Sequence, residues 1–136
     1  MLPNKTKYRK AQKGGKKITG ISKSCSYLAF GLYGLKALTG GRFKSNQIEA
    51  ARKSISKNLK KTGKLYIRVF PHIPITSKPA GRMGSGKGSV SAWICRVKPG
   101  AILFEVDGIP EEEAVNALKK ASAKLPFKTK VVKYVF

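Results

Sequence analysis

Acidic side chains are scarce. Among 136 residues, six Asp and Glu face 29 Lys and Arg, and the net charge is +23. A chain so one-sided repels itself unless a polyanion neutralises it, which sets it apart from ordinary soluble monomers. The shortage also limits chemistry. The only Asp is Asp107, in an expected turn. Glu111, Glu112 and Glu113 suit the positive end of an expected helix, Glu49 the first turn of another, and Glu105 a strand face. The single His, His72, stands among prolines with no carboxylate near it in sequence. Acid–base pairs and nucleophile triads lack their members, so no enzyme is expected. Cys25 and Cys95 are the only cysteines, without a CxxC pair or a neighbouring His, which argues against a zinc site or a disulfide scaffold. Both are expected to be small, buried or half-buried apolar residues in a reducing compartment. No stretch approaches the ~18 apolar residues of a membrane span. No metal, cofactor or small-molecule substrate is indicated.

What is present is enough for a modest core. Leu, Ile, Val and Phe supply 34 residues, a quarter of the chain and above the ~20% below which a highly charged sequence stays disordered. The charge is uneven: residues 1–70 hold 18 basic residues and one acid, residues 71–136 hold 11 and five. The polyanion-facing surface should therefore lie mostly in the first half. Residues 1–24 form a basic arm with almost nothing to bury, expected to be disordered alone and to fold on a partner. It is rich in Lys rather than Arg and Ser, and holds Gly14-Gly15 without an amphipathic period, unlike a transit peptide. Residues 25–136 are expected to form one domain.

Periodicity predicts its elements. Ser26 to Leu38 reads as a strand, with Gly31 and Gly34 marking bends or bulges. Ser45 or Asn46 offers an N-cap, and Ile48, Ala51, Ile55 and Leu59 recur at helical spacing until Gly63. Lys64 to Phe70 alternates as a strand. Prolines 71, 74 and 79 and glycines 81, 84, 86 and 88 then mark a long loop over residues 71–88, far beyond the usual four to six residues. Ser89–Val97 and Ala101–Val106 read as a strand pair. A helix follows, with Pro110 at its first position and Ala114, Leu118, Ala121 and Leu125 as its buried stripe. Thr129–Phe136 is a closing strand. The order β-α-β-loop-β-β-α-β is an α+β domain of two helices on a mainly antiparallel sheet.

Within the loop, Gly81 to Lys87 matches the spacing of a phosphate-binding loop. Gly88 stands where Ser or Thr would hold magnesium, and a strand follows where a helix is needed, so no nucleotide site is expected. Glycines among Lys78, Arg82 and Lys87 better suit close backbone approach to a nucleic-acid phosphate. In the arm, Lys5, Lys7, Tyr8, Arg9 and Lys10, with Lys13, Lys16 and Lys17 after them, mix cations with a ring able to stack. The first helix adds Arg52, Lys53, Lys57 and Lys60, flanked by Arg42, Lys44, Lys64 and Arg68. These residues are the expected RNA contacts.

Gln47-Ile48-Glu49-Ala50-Ala51-Arg52 and Gly63-Lys64-Leu65-Tyr66-Ile67-Arg68-Val69-Phe70-Pro71 resemble the universal large-subunit ribosomal protein family uL-sixteen, in its bacterial and organellar form. So do Pro74-Ile75-Thr76, Lys78-Pro79, Arg82-Met83-Gly84, Gly86-Lys87-Gly88, Trp93, Pro99-Gly100, Glu105, Asp107-Gly108 and Ala123-Lys124-Leu125-Pro126, together with Lys5 to Lys10 and Lys13-Gly14 of the arm. The stretch between Pro79 and Arg82 is one residue shorter than usual. The resemblance implies an α/β-hammerhead-like fold and a role in the large subunit. There the protein binds large-subunit rRNA beside the A-site tRNA and neighbouring ribosomal proteins, helps organise the peptidyl-transferase region and joins late in assembly. Lys78, Arg82, Met83 and Lys87 would reach towards the functional centre. A free-standing RNA-binding or RNA-chaperone protein is the alternative, and a basic enzyme acting on nucleic acid a more distant one. The excess of Lys (23) over Arg (6) suits an organelle-encoded mitochondrial protein or an AT-rich bacterium, with a lean to the mitochondrial matrix over the bacterial cytoplasm.

Overall fold

In the computed structural model, which describes residues 1–15 and 18–136, the period-two stretches and both helical stripes become regular elements, but the strands outnumber those expected. The order is β1 (Tyr33–Ala37), β2 (Gly41–Lys44), α1 (Ser45–Leu59), β3 (Lys64–Ile67), β4 (Ile73–Ser77), β5 (Ser89–Val97), β6 (Ile102–Asp107), α2 (Glu111–Ser122) and β7 (Thr129–Lys133). Instead of one sheet there are two. A four-stranded sheet has the order β3-β6-β1-β7 and a three-stranded sheet the order β2-β5-β4. All their pairings are antiparallel, and the class is α+β as expected.

α1 buries Ile48, Ala51, Ile55 and Leu59, the stripe read from the sequence. Its cap differs: Lys44 holds the N-cap position, where its N–H donates to Gln47 Oε1 at 3.0 Å. The helix stops at Lys60, whose φ of 55° is left-handed, before Gly63 is reached. α2 buries Ala117 in addition to Ala114, Leu118 and Ala121, while Leu125 lies beyond its end, half-buried against the core; Pro110 is the N-cap. The two helices pack on each other. Phe43 of β2 is buried and meets Phe104 of β6 edge to face at 6.3 Å and Phe127 at 5.4 Å, which ties the two sheets into one core.

Four expectations fail. β4 falls inside the supposed long loop. It is an edge strand, where Pro74 sits opposite Trp93 without costing a ladder bond, and the open loop shrinks to residues 78–88. Strand β1 begins at Tyr33, not Ser26, because the N–H groups of residues 29–31 bond a carboxylate instead of a neighbouring strand. Its irregularity falls between Leu35 and Lys36, not at Gly31 or Gly34. Cys25 is exposed with a left-handed φ of 54°, its carbonyl accepting from Ile102 N at 2.7 Å, whereas Cys95 is buried as expected and burial pushes its thiol up to about 11.

That carboxylate is Glu105, on central strand β6 and fully buried. Tyr66, Glu105 and Gly34 lie side by side across β3, β6 and β1. Strand alternation turns this row away from the face on which Phe104 meets the core. Glu105 accepts from Ala29 N at 3.2 Å, Phe30 N at 2.6 Å, Gly31 N at 2.8 Å and Arg68 Nη1 at 2.7 Å. Gly31 lies so close to β6 that a Cβ would come 2.6 Å from the Val106 carbonyl oxygen. Burial pushes the Glu105 carboxyl up, but Arg68 and the three backbone donors more than offset this and hold it below the ordinary value.

Removing one partner of a buried ion pair strands the other, so Glu105→Gln should cost about 3–5 kcal/mol in urea unfolding. Because the folded carboxyl titrates below its unfolded value, its contribution is present above that ordinary value and fades as pH falls through the lowered one. Acid titration of stability should therefore be less steep in Glu105→Gln than in the wild type.

Candidate nucleic-acid interface

The exposed side of α1 follows from its period. With Ile48, Ala51, Ile55 and Leu59 turned inward, Lys53, Lys57 and Lys60 project outward. Arg52 is half-buried and pairs with Glu49 one turn earlier, and this hydrogen bond, before all else, holds the Glu49 carboxyl below its ordinary value. Lys44 at the start of the helix and Lys64 on β3 are exposed.

Arg68 departs from expectation. Its guanidinium is turned inward, its side chain only 12% exposed, donating to Glu105 and at 2.9 Å to the Tyr27 carbonyl. A charge committed to a buried carboxylate is not offered to a phosphate, so the assignment of Arg68 as an RNA contact gives way to a role inside the fold. The sequence signal was Glu105 itself, an acid in an otherwise apolar run from Ile102 to Val106.

Arg42 is half-buried on β2, opposite Arg96 of β5. Both reach the arm: Arg42 Nη2 donates to the carbonyls of Gly14 (3.2 Å) and Gly15 (3.1 Å), and Arg96 Nη2 to Gly15 at 3.4 Å. Arg96 was missed because β2 is only four residues long, too short to reveal its partner strand by alternation. Lys5, Lys7, Tyr8, Arg9 and Lys13 are exposed, with Lys7 Nζ 5.6 Å from the Tyr8 ring centroid. The expected contacts Lys16 and Lys17 lie outside the described residues.

The arm also meets the loop. Lys10 Nζ donates to the Lys87 carbonyl at 3.0 Å, and Lys87 Nζ returns to the Ala11 carbonyl at 2.8 Å. Inside the loop, Lys78 Nζ donates to Gly84 O at 2.9 Å, and Arg82 N to Pro79 O at 3.2 Å closes a turn. Gly84, Ser85 and Gly86 are all left-handed (φ 80°, 54° and 87°). A Cβ at either glycine would meet nothing within 4 Å, so the glycines serve backbone conformation here rather than internal room. Arg82 is exposed, and Met83 beside it is 95% exposed. Arm, loop and α1 thus carry accessible cations. The fold joins the arm to the loop and to the Arg42–Arg96 pair, while Arg68 is withdrawn.

Among the described residues no three His, Cys, Asp or Glu side chains come together as a metal would require, and no helix is long and apolar enough to cross a membrane. His72 is exposed, its Nδ1 3.3 Å from the Phe70 carbonyl oxygen.

Known proteins resemble this chain along nearly its whole length. The family model for ribosomal protein L16p/L10e matches residues 3–132. The large ribosomal subunit protein uL16 of Psychrobacter cryohalolentis is 54% identical over 134 residues, covering 98% of this chain and 96% of its own. The protein of the same name from Hyphomonas neptunium is 54% identical over 136 residues, 99% of this chain and 97% of its own. That from Afipia carboxidovorans is 52% identical over 133 residues, 97% and 96%.

If the outer face of α1 meets phosphates, replacing Lys53 and Lys57 by Ala should reduce the slope of log affinity against log salt by roughly 0.7–0.9 per lost contact, with little change in sequence preference. Filter-binding titrations on structured RNA read this directly. An unchanged slope would make the face a solvated one.

Proposed function

Since the chain belongs to the L16p/L10e family of ribosomal proteins, we propose that its arm and first helix clamp large-subunit rRNA while the loop 78–88 serves the A-site tRNA. The chain is a structural constituent of the large ribosomal subunit and not an enzyme; large-subunit rRNA and neighbouring ribosomal proteins are its partners. Its ribosome is of the bacterial type. The relatives named are bacterial and lend no weight to the mitochondrial matrix.

The observation that carries the loop's role is its contrast of anchored base and bare tip. The reciprocal Lys10–Lys87 bonds tether the loop to the arm, and Lys78 braces it from within, while Arg82 and Met83 stand clear of the fold. A planar guanidinium on such a support can grip a phosphate through two donors or stack on a base. The Lys53, Lys57 and Lys60 face of α1 suits distributed backbone contacts, which orient a protein without reading sequence. The arm 1–24 acts as an extension of the domain 25–136: its described residues contain neither helix nor strand, and the side-chain bonds that join Lys10, Ala11, Gly14 and Gly15 to the body are exposed.

Arg82→Ala should leave the fold and subunit docking intact, because it touches neither the core nor α1, and should weaken A-site tRNA binding or single-turnover peptide transfer. Arg82→Lys should restore function only in part, since the charge survives and the fork does not. Wild-type rates from subunits fully occupied by Arg82→Ala would reduce the protein to an rRNA clamp. In the free chain, amides 4–15 should exchange fast, because the exposed arm–loop bonds hold only once rRNA orders the arm; strong protection there would contradict an arm that orders on rRNA.

A further inference from the structure

A cleft of about 290 Å³ opens between the segment 28–32 and the last residues of the chain, with Leu28, Phe30, Leu32, Asp107, Tyr134 and Phe136 in its lining. Three of its lining residues are aromatic. Phe30 is 59% exposed yet held in place: its ring stacks on Tyr66 of β3, centroids 5.5 Å apart and planes at 23°, and Arg68 Cζ lies 5.3 Å from its centroid. Arg68 is itself fixed by Glu105, which also binds the Phe30 N–H. On the other wall Tyr134 and Phe136 meet edge to face at 5.2 Å. The Tyr134 N–H donates to the Leu32 carbonyl at 2.8 Å, tying the C-terminal residues to the segment that carries Phe30. The Phe136 ring is fully exposed.

Aromatic rings facing solvent on so polar a chain, with Phe30 held by Tyr66 and Arg68, mark an interaction site. Charge selects the partner. At +23, with exposed Lys64 two residues from Tyr66 on β3, the surface around the cleft draws a polyanion, although Asp107 is the one charged side chain in the described lining and Lys133 beside Tyr134 is paired with Glu111. The apolar part of a polyanion that flat rings accept is an unpaired nucleobase. We propose that this cleft is a stacking slot that takes one unpaired rRNA base between Phe30 and the Tyr134–Phe136 pair. The slot rests on the rRNA-binding reading above and adds a contact of another kind, one that does not depend on counterion release.

The test uses bacterial large subunits stripped of their own copy of this protein, the full-length chain, and the variants Phe30→Leu and Phe136→Ala. Phe136 is fully exposed, so its variant folds even if loss of the Phe30 ring loosens Tyr66. Each variant should bind about tenfold more weakly, with the slope of log affinity against log salt unchanged, and one rRNA base protected by the wild type should become reactive to reagents that modify base edges. If both variants bind as the wild type does with the same base reactivities, the slot is overturned and the rRNA reading stands. Failure of the wild type itself to bind would overturn both. Loss of a neighbouring protein with no change in any base's reactivity would overturn the base in favour of a protein partner.

Discussion

One buried carboxylate organises the side of the molecule that faces away from its helices. Glu105 is the charged residue of a central strand that is otherwise apolar from Ile102 to Val106, and it is kept ionised by one guanidinium and three successive backbone N–H groups. A segment that forms no ladder of its own thereby lies flat on the four-stranded sheet, and its donors are satisfied as buried groups must be. The arrangement needs Gly31 for close approach to the β6 backbone, and a Cβ at Gly34, 2.3 Å from Leu28 Cδ2, would push that side chain aside. The same bonds seat Phe30 on Tyr66, so the exposed rings and the buried charge are parts of one construction.

Seen this way, the few acids divide the many cations into two populations. Glu105 commits Arg68, Glu49 pairs with Arg52, and Glu111 with Lys133 at 2.6 Å, while Lys53, Lys57 and Lys60 on α1 and the arm's exposed cations keep their charge for a partner. Backbone carbonyls do related work at the arm, where Gly14 and Gly15 receive Arg42 and Arg96 and Ala11 receives Lys87. These bonds set the course of the arm past the three-stranded sheet to the base of the loop 78–88. A contact made by the arm is therefore mechanically close to the loop's tip.

Local patterns revealed most of the fold, and non-local bonds account for what they hid. Both helices carry their stripes in plain view, and the alternation of Ser89–Val97 sets β5 to the residue. β4 was hidden by its prolines, which read as loop punctuation until an edge position makes them harmless. β2 was too short to announce itself. Ser26–Leu38 alternates like a strand, yet its first half answers to a carboxylate some 75 residues away, which no window along the chain can detect. The site divides in the same manner. Exposed lysines on α1 follow from helical period, whereas the withdrawal of Arg68 and the entry of Arg96 required knowing which strands are neighbours.

A reconstruction of the large ribosomal subunit carrying this chain should find Lys53, Lys57 and the arm against rRNA backbone, the tip at Arg82 and Met83 turned towards the A-site tRNA, and Arg68 still paired with Glu105. The same reconstruction with the α1 lysines facing open solvent and the 78–88 loop pointing away from the A site would contradict it.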